Sequence, residues 1–204
     1  MPEISGVGAV SIEYSHFSVG EQWERGFARR DSEPDFQTDE RVIVVPGQLV
    51  VTSRVQEHTA PVVLAVNDQL DVAPGPAWTL VASVDYQPVY KGRMAAFDTM
   101  NGPAQPARES VEAFGRRVEP GEPFVDLDPS RTYRAQVWSQ GRSDSRERFN
   151  AAMERTEWGV HEGFETYVIV FVPSGTQEPP APSETRSQRE RMARPNRKPP
   201  LNTR

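Results

Sequence analysis

The chain contains no cysteine. That one absence removes disulfide staples, thiolate nucleophiles and cysteine-based metal sites together, and it suits a reducing compartment, so a cytoplasmic location is expected. Long apolar runs are missing too. Nowhere do about 18 consecutive apolar residues occur, and residues 1–6 hold neither a basic segment nor an apolar stretch of signal-peptide length. Neither a membrane partner nor classical export is expected.

Histidine is scarce. The three present, His16, His58 and His161, have no ligand-like spacing, and a three-histidine metal site would need all of them to converge from distant segments. His16 reads as a packed strand residue, His58 and His161 as surface residues. Phosphate-cradling loops are absent, because Gly6-Val-Gly8 is too short for a dinucleotide fingerprint and no helical pattern follows it. No metal or cofactor is expected. The sequence has no Gly-x-Ser-x-Gly elbow, and Ser15 beside His16 is the nearest approach to a nucleophile and its base, yet neighbours on a strand point to opposite faces. Carboxylates are plentiful, but two acids working on one bond must share a cleft. Asp126 and Asp128 are the one pair that meets this on a shared strand face, and Pro129 beside them favours ordinary turn chemistry. No catalytic residue is expected, and the chain reads as non-enzymatic.

What is present is charge, unevenly distributed. Residues 175–204 carry seven Lys/Arg against Glu178, Glu184 and Glu190, a balance of +4, so the total of -6 leaves -10 on residues 1–174. Phosphate binding draws its affinity from clustered cations, so an acidic body disfavours nucleic acid and favours a basic protein partner. The tail allows at most weak nucleic-acid contact. It holds many Pro, Ser and Arg and almost no large apolar residue, too little to offset its ordering entropy, and is expected to be disordered. Two units follow: a domain over 1–174 and a basic Pro/Arg-rich tail over 175–204.

Within the first unit, period-two alternation and β-branched content mark strands. They fall at about residues 8–17, 42–45, 48–55, 61–67, 78–86, 89–97, 124–127, 131–139 and 164–172. Trp78, Leu80, Ala82, Val84 and Tyr86 read as a core stripe. Residues 164–172, apolar on both faces from Tyr167, read as a central strand ended by Pro173. Asp144 as cap with Glu147 at the third position predicts a helix over 145–157, with Phe149, Ala152, Met153 and Thr156 inward. Many short strands and one helix predict a mostly β fold, an antiparallel β-sandwich.

Two loops, residues 18–41 and 100–123, exceed usual lengths, and binding concentrates in such loops. The first contains Asp31-Ser-Glu-Pro-Asp-Phe-Gln-Thr-Asp-Glu40. Its acids, Asp31, Glu33, Asp35, Asp39 and Glu40, surround Phe36, a pattern suited to steering and anchoring a basic protein, or to a solvated loop whose Phe36 folds back onto the sheet. On the strand 131–139, Arg134 and Trp138 share the face opposite Tyr133, Ala135 and Val137. They form either a second contact patch or, for Trp138, a residue buried beneath the helix.

The segments Tyr14-Ser-His-Phe-Ser-Val19, Pro46-Gly-Gln-Leu-Val-Val51, Tyr133-Arg-Ala-Gln-Val-Trp-Ser-Gln-Gly-Arg142 and Glu165-Thr-Tyr-Val-Ile-Val-Phe-Val-Pro173 resemble, in their order, small bacterial, often actinobacterial, β-sandwich proteins similar to the competence protein J family. The resemblance spans most of residues 8–173 and departs in the long loops and the basic tail. It implies a β-sandwich and, from that family's best-known member, inhibition of a partner nuclease. The expected function is a protein-binding module, inhibitor-like or immunity-like toward a basic nuclease or toxin. The alternative is a structural or assembly subunit, virion-like or sheath-like, that uses the tail as an arm.

Overall fold

The structure is a computed structural model that describes residues 1–22, 33–155 and 162–176. In chain order it contains β1 (Glu3–Ile12), β2 (His16–Glu21), β3 (Val42–Val45), β4 (Gln48–Thr52), β5 (His58–Val66), β6 (Thr79–Tyr86), β7 (Arg93–Phe97), β8 (Gln105–Pro106), β9 (Val111–Ala113), β10 (Arg116–Val118), β11 (Phe124–Asp126), β12 (Arg131–Gln140), α1 (Ser145–Glu154) and β13 (Thr166–Thr176). A six-stranded sheet runs β6-β12-β13-β5-β1-β8, and a five-stranded sheet runs β11-β7-β2-β4-β3. Pairing is antiparallel except between β13 and β5. The fold is therefore mostly β, a sandwich with one short helix.

The alternation along the strands builds two layers of core. Tyr167, Ile169 and Phe171 point between the sheets toward Phe17, Leu49, Val51 and Met94. The intervening Val168, Val170 and Val172 point to the outer face of the large sheet, where they join Val63, Ala65, Ala113 and Val118. Because β13 is covered on both faces, its period-two pattern disappears into an unbroken apolar run, as a central strand requires.

Several expected boundaries shift for identifiable reasons. The strand expected over 8–17 breaks at Tyr14 and Ser15, whose φ values are 53° and 63°. This two-residue turn, of a kind usually made by Asn-Gly, carries the chain from one sheet to the other. The stripe expected along β6 holds in part: Trp78 and Tyr86 are buried and Ala82 and Val84 pack half-buried against the core, but Leu80 is 39% exposed. β6 is an edge strand, and a register shift opposite Val137 and Trp138 turns Trp78 and Tyr86 into different clusters. Pro173 does not end β13. It sits beside a register shift opposite Tyr133, where a missing N–H is tolerated, and the strand continues to Thr176.

Residues 100–123, expected as a free loop, hold β8 and the β9–β10 hairpin and bury Ala104, Ala107, Ala113 and Val118. They form the lid over the outer core. The helix lacks the expected side-chain cap, since Asp144 pairs with Arg148 Nε at 3.1 Å instead. Of its expected inner face, Ala152 is buried and Phe149 packs against Phe164, whereas Met153 is 45% exposed and Thr156 lies outside the described residues.

Candidate functional site

Residues 33–41 enter β3 along one end of the sandwich. Local side-chain bonds shape this segment: Gln37 N donates to Asp35 Oδ1 at 2.9 Å, and Glu40 N to Thr38 Oγ1 at 3.2 Å. The Arg41 carbonyl fastens its end to β4 by accepting Thr52 N at 3.0 Å and Thr52 Oγ1 at 3.1 Å. Glu33, Asp35, Asp39 and Glu40 are all exposed, and among the described residues none of them forms an ion pair. Phe36 keeps 53% of its surface exposed while its ring lies 4.7 Å from that of His16. It rests on the sandwich without entering it. Asp31 lies outside the described residues.

The second expected patch does not assemble. Trp138 is only 8% exposed and joins Trp78, Ala113 and Val118 in the outer core, under the β9–β10 hairpin and not under α1. The sequence placed it correctly opposite Tyr133 but gave no sign that residues 100–123 would fold over that face. Arg134 remains on the surface, paired across strands with Asp85 at 3.1 Å.

Two buried carboxylates were not foreseen. Glu165 is 1% exposed and draws in the end of β4, the start of α1 and the head of β13. It accepts Ser53 Oγ at 2.9 Å, Arg54 N at 3.1 Å and Ser145 Oγ at 2.6 Å, together with the Tyr167 hydroxyl. Arg142 supplies the balancing charge from 3.5 Å, and its Nη1 also reaches the Thr52 carbonyl at 2.7 Å and Tyr167 Oη at 3.0 Å. Burial, reinforced by the Glu165 charge, pushes the Tyr167 hydroxyl well above its ordinary pKa. At the opposite side, Glu21 accepts N–H bonds from Val89, Tyr90 and Gly92, clamping the β6–β7 connection. The sequence signal for Glu165 is an acid heading a strand that is otherwise buried on both faces. Such a charge is tolerated only when paired and hydrogen-bonded.

His58, expected at the surface, is 3% exposed and belongs to the same cluster, with Nε2 3.1 Å from Ser53 Oγ. Ser53, His58 and Glu165 thus meet, but in an order that does not serve hydrolysis. The single Ser53 proton goes to Glu165, so His58 Nε2–H donates to Ser53, and the other ring nitrogen, Nδ1, is buried and is not held by the acid. A catalytic base would instead accept the serine proton and be held by the acid through its far nitrogen. Burial holds the imidazole pKa down at about 4, although the nearby Glu165 charge opposes this. The cluster is a staple between elements.

The Asp126 and Asp128 pair also resolves into turn chemistry. Asp128 Oδ1 accepts Ser130 N at 2.9 Å and Ser130 Oγ at 2.7 Å, bonds that lower its pKa, while Asp126 faces Arg93 at 3.5 Å. Among the described residues no three His, Asp or Glu side chains converge as a metal site, and no helix is long and apolar enough to cross a membrane.

Among the clefts formed by the described residues, two bear on function. One, of about 540 Å³, is lined by Arg41, Arg54, Arg142, Ser139 and the start of β6; the other, of about 560 Å³, lies between β1 and residues 98–109 and mixes Asp98, Glu109 and Glu162 with Arg108. In that second cleft Arg108 is already paired with Glu162 at 3.3 Å.

No family model matches the chain, and no curated protein matches its sequence. Among solved structures, it is similar to one described as ComJ, inhibitor of the DNA degrading activity of NucA, from Bacillus subtilis, at 14% identity and a TM-score of 0.48 over 85% of this chain and 99% of that one. It is also similar to the crocagin biosynthetic gene J product, at 12% identity and a TM-score of 0.39, with coverage of 85% and 99%.

Proposed function

We propose that this chain is a protein-binding module that docks a basic protein through residues 33–41, with inhibition of a nuclease or toxin as the consequence. The observation that carries the reading is the exposed set Glu33, Asp35, Asp39 and Glu40, unpaired among the described residues, around a half-exposed Phe36. Acids without internal partners lose nothing when a cationic surface approaches, and they accelerate encounter by long-range attraction. A half-exposed aromatic that already rests on a ring beneath it can be fully desolvated at small entropic cost, which is how interface anchors work. The net -10 of residues 1–174 extends the attraction beyond the segment itself.

Proteins that cleave nucleic acids must present Lys/Arg surfaces to phosphates, so they are the basic partners to test first. The reading is tested by adding the full chain to a panel of small basic endonucleases and following DNA degradation. Stoichiometric suppression of at least one enzyme is expected, with the combined change Glu33→Lys, Asp35→Lys, Asp39→Lys and Glu40→Lys abolishing it. Suppression that survives the change would remove residues 33–41 from the interface, and a panel left entirely unaffected would remove the nuclease class.

A further inference from the structure

The 540 Å³ cleft at the open edge between β3 and β6 is out of character with the rest of the molecule. In a body of net charge -10, its wall carries three guanidinium groups, Arg41, Arg54 and Arg142, and among the described residues no carboxylate. The remaining lining divides into small polar groups, Thr79, Ser139 and Ser143, and a short apolar strip, Ala77, Leu80 and Val81. Leu80 is 39% exposed, so the strip is open to whatever enters.

Three features make this a built site. Arg142 has a side chain only 13% exposed, and its Nη1 is held by Glu165, the Thr52 carbonyl and Tyr167, which fixes the plane of the guanidinium and leaves Nε and Nη2 without a partner among the described residues. Arg54 is likewise held through Nη1, which donates to the Arg142 and Ser143 carbonyls at 3.4 and 2.8 Å. Such a group is pre-organised, so little side-chain entropy is lost when its remaining donors bind. Among the described residues the Arg41 side chain has no bond, and neither its guanidinium nor that of Arg54 meets an acid. Third, Ser139 is among the residues that line the cleft, and among the described residues its buried hydroxyl has no hydrogen-bond partner. A buried hydroxyl left unpaired costs about 1–3 kcal/mol, which an incoming oxygen acceptor would recover.

The charge count selects the ligand. Glu165 neutralises Arg142, so two uncompensated cations, Arg41 and Arg54, remain. A single carboxylate would leave one of them unpaired. A phosphate monoester carries about -1.5 to -2 near neutral pH and offers three terminal oxygens to donors from different directions. The cleft also exceeds the needs of a bare anion and falls within the range of about 300–1,000 Å³ usual for small-molecule sites. We propose that it binds a small phosphorylated molecule, with the phosphoryl group between Arg41, Arg54 and Ser139 and the organic part along Ala77, Leu80 and Val81.

The test is an NMR titration of the ¹⁵N-labelled full chain with inorganic phosphate and with phenyl phosphate, at ionic strength held constant with chloride. Saturable shifts are expected in the amides of residues 79–81 and 139–143, with phenyl phosphate binding several-fold tighter than inorganic phosphate because it also covers the apolar strip. Arg41→Gln, which disturbs no side-chain bond among the described residues, should weaken both at least tenfold. Ser139→Ala removes an unpaired hydroxyl, so it should fold as well as the parent chain while weakening phosphate several-fold. Shifts that are linear in concentration or equal for chloride would overturn the site, as would unchanged affinity in Arg41→Gln and Ser139→Ala. A single-stranded oligonucleotide that binds more tightly per phosphate than phenyl phosphate would overturn the small-ligand assignment.

Discussion

Acidification should loosen the staple around Glu165 through His58. In the fold this imidazole is neutral: its Nε2–H is committed to Ser53, and burial penalises a second proton more than the Glu165 charge and the Thr59 backbone favour it. Burial holds its pKa at about 4, against the ordinary 6.5 that it regains on unfolding. As pH falls below about 6.5 the unfolded chain therefore takes up the proton first, and stability drops until about pH 4, where the folded form also protonates. The two values give a loss of about 2 kcal/mol between pH 8 and 5, rising to about 3 kcal/mol by pH 4. Urea unfolding at fixed pH values measures it, with constant m-values confirming that the same transition is followed. His58→Gln keeps an N–H for Ser53 but cannot titrate, so the difference between the two proteins should shrink by about 2 kcal/mol from pH 8 to 5. Parallel pH profiles would refute the assignment of a neutral, buried imidazole.

Removing the Glu165 charge by Glu165→Leu strands Arg142 and four donors, Ser53, Ser145, Tyr167 and Arg54 N; a loss of about 3–5 kcal/mol in urea unfolding is expected, as for other broken buried pairs. Gly92→Ala should be similarly harmful, because at φ +76° its Cβ would lie 2.0 Å from the Leu127 carbonyl oxygen; a cost of about 2–3 kcal/mol is expected from the same assay. Trp138→Phe should be mild, under about 1.5 kcal/mol, since the indole Nε1 has no partner to lose, whereas Trp138→Ala should cost about 3–5 kcal/mol by opening a cavity beneath the β9–β10 hairpin. Phe36→Ala should leave thermal unfolding within about 0.5 kcal/mol of the parent, because the ring is half-exposed, yet weaken partner binding by about tenfold or more.

The fold class was legible because strand periodicity is a local signal. The doubly covered character of β13 could be read from Tyr167–Val172 alone, and Pro46-Gly47 marked the β3–β4 turn. What failed depended on distant partners. Leu80 alternates as a core residue does, but β6 became an edge strand, and nothing within residues 78–86 records that no strand lies beyond it. His58 looked like a surface residue because its burial comes from Phe164 and Glu165, about a hundred positions away. The Tyr14-Ser15 turn was hidden because its residues lack the usual glycine or asparagine. For the candidate site, the acids of residues 33–40 and Phe36 were visible as composition. The arginine cleft was not, since Arg41, Arg54 and Arg142 come from three separate connections that only the folded sandwich brings to one edge.

The central claim, that residues 33–41 dock a basic protein by charge and an aromatic anchor, is met most directly by the association rate with a suppressed endonuclease, measured against ionic strength. Electrostatic steering predicts a rate that falls at least tenfold between about 20 and 500 mM salt. Neutralising Glu33, Asp35, Asp39 and Glu40 to Gln or Asn should flatten that dependence and leave the high-salt rate nearly unchanged. A rate indifferent to salt, or a slope unchanged in the neutralised variant, would contradict the account.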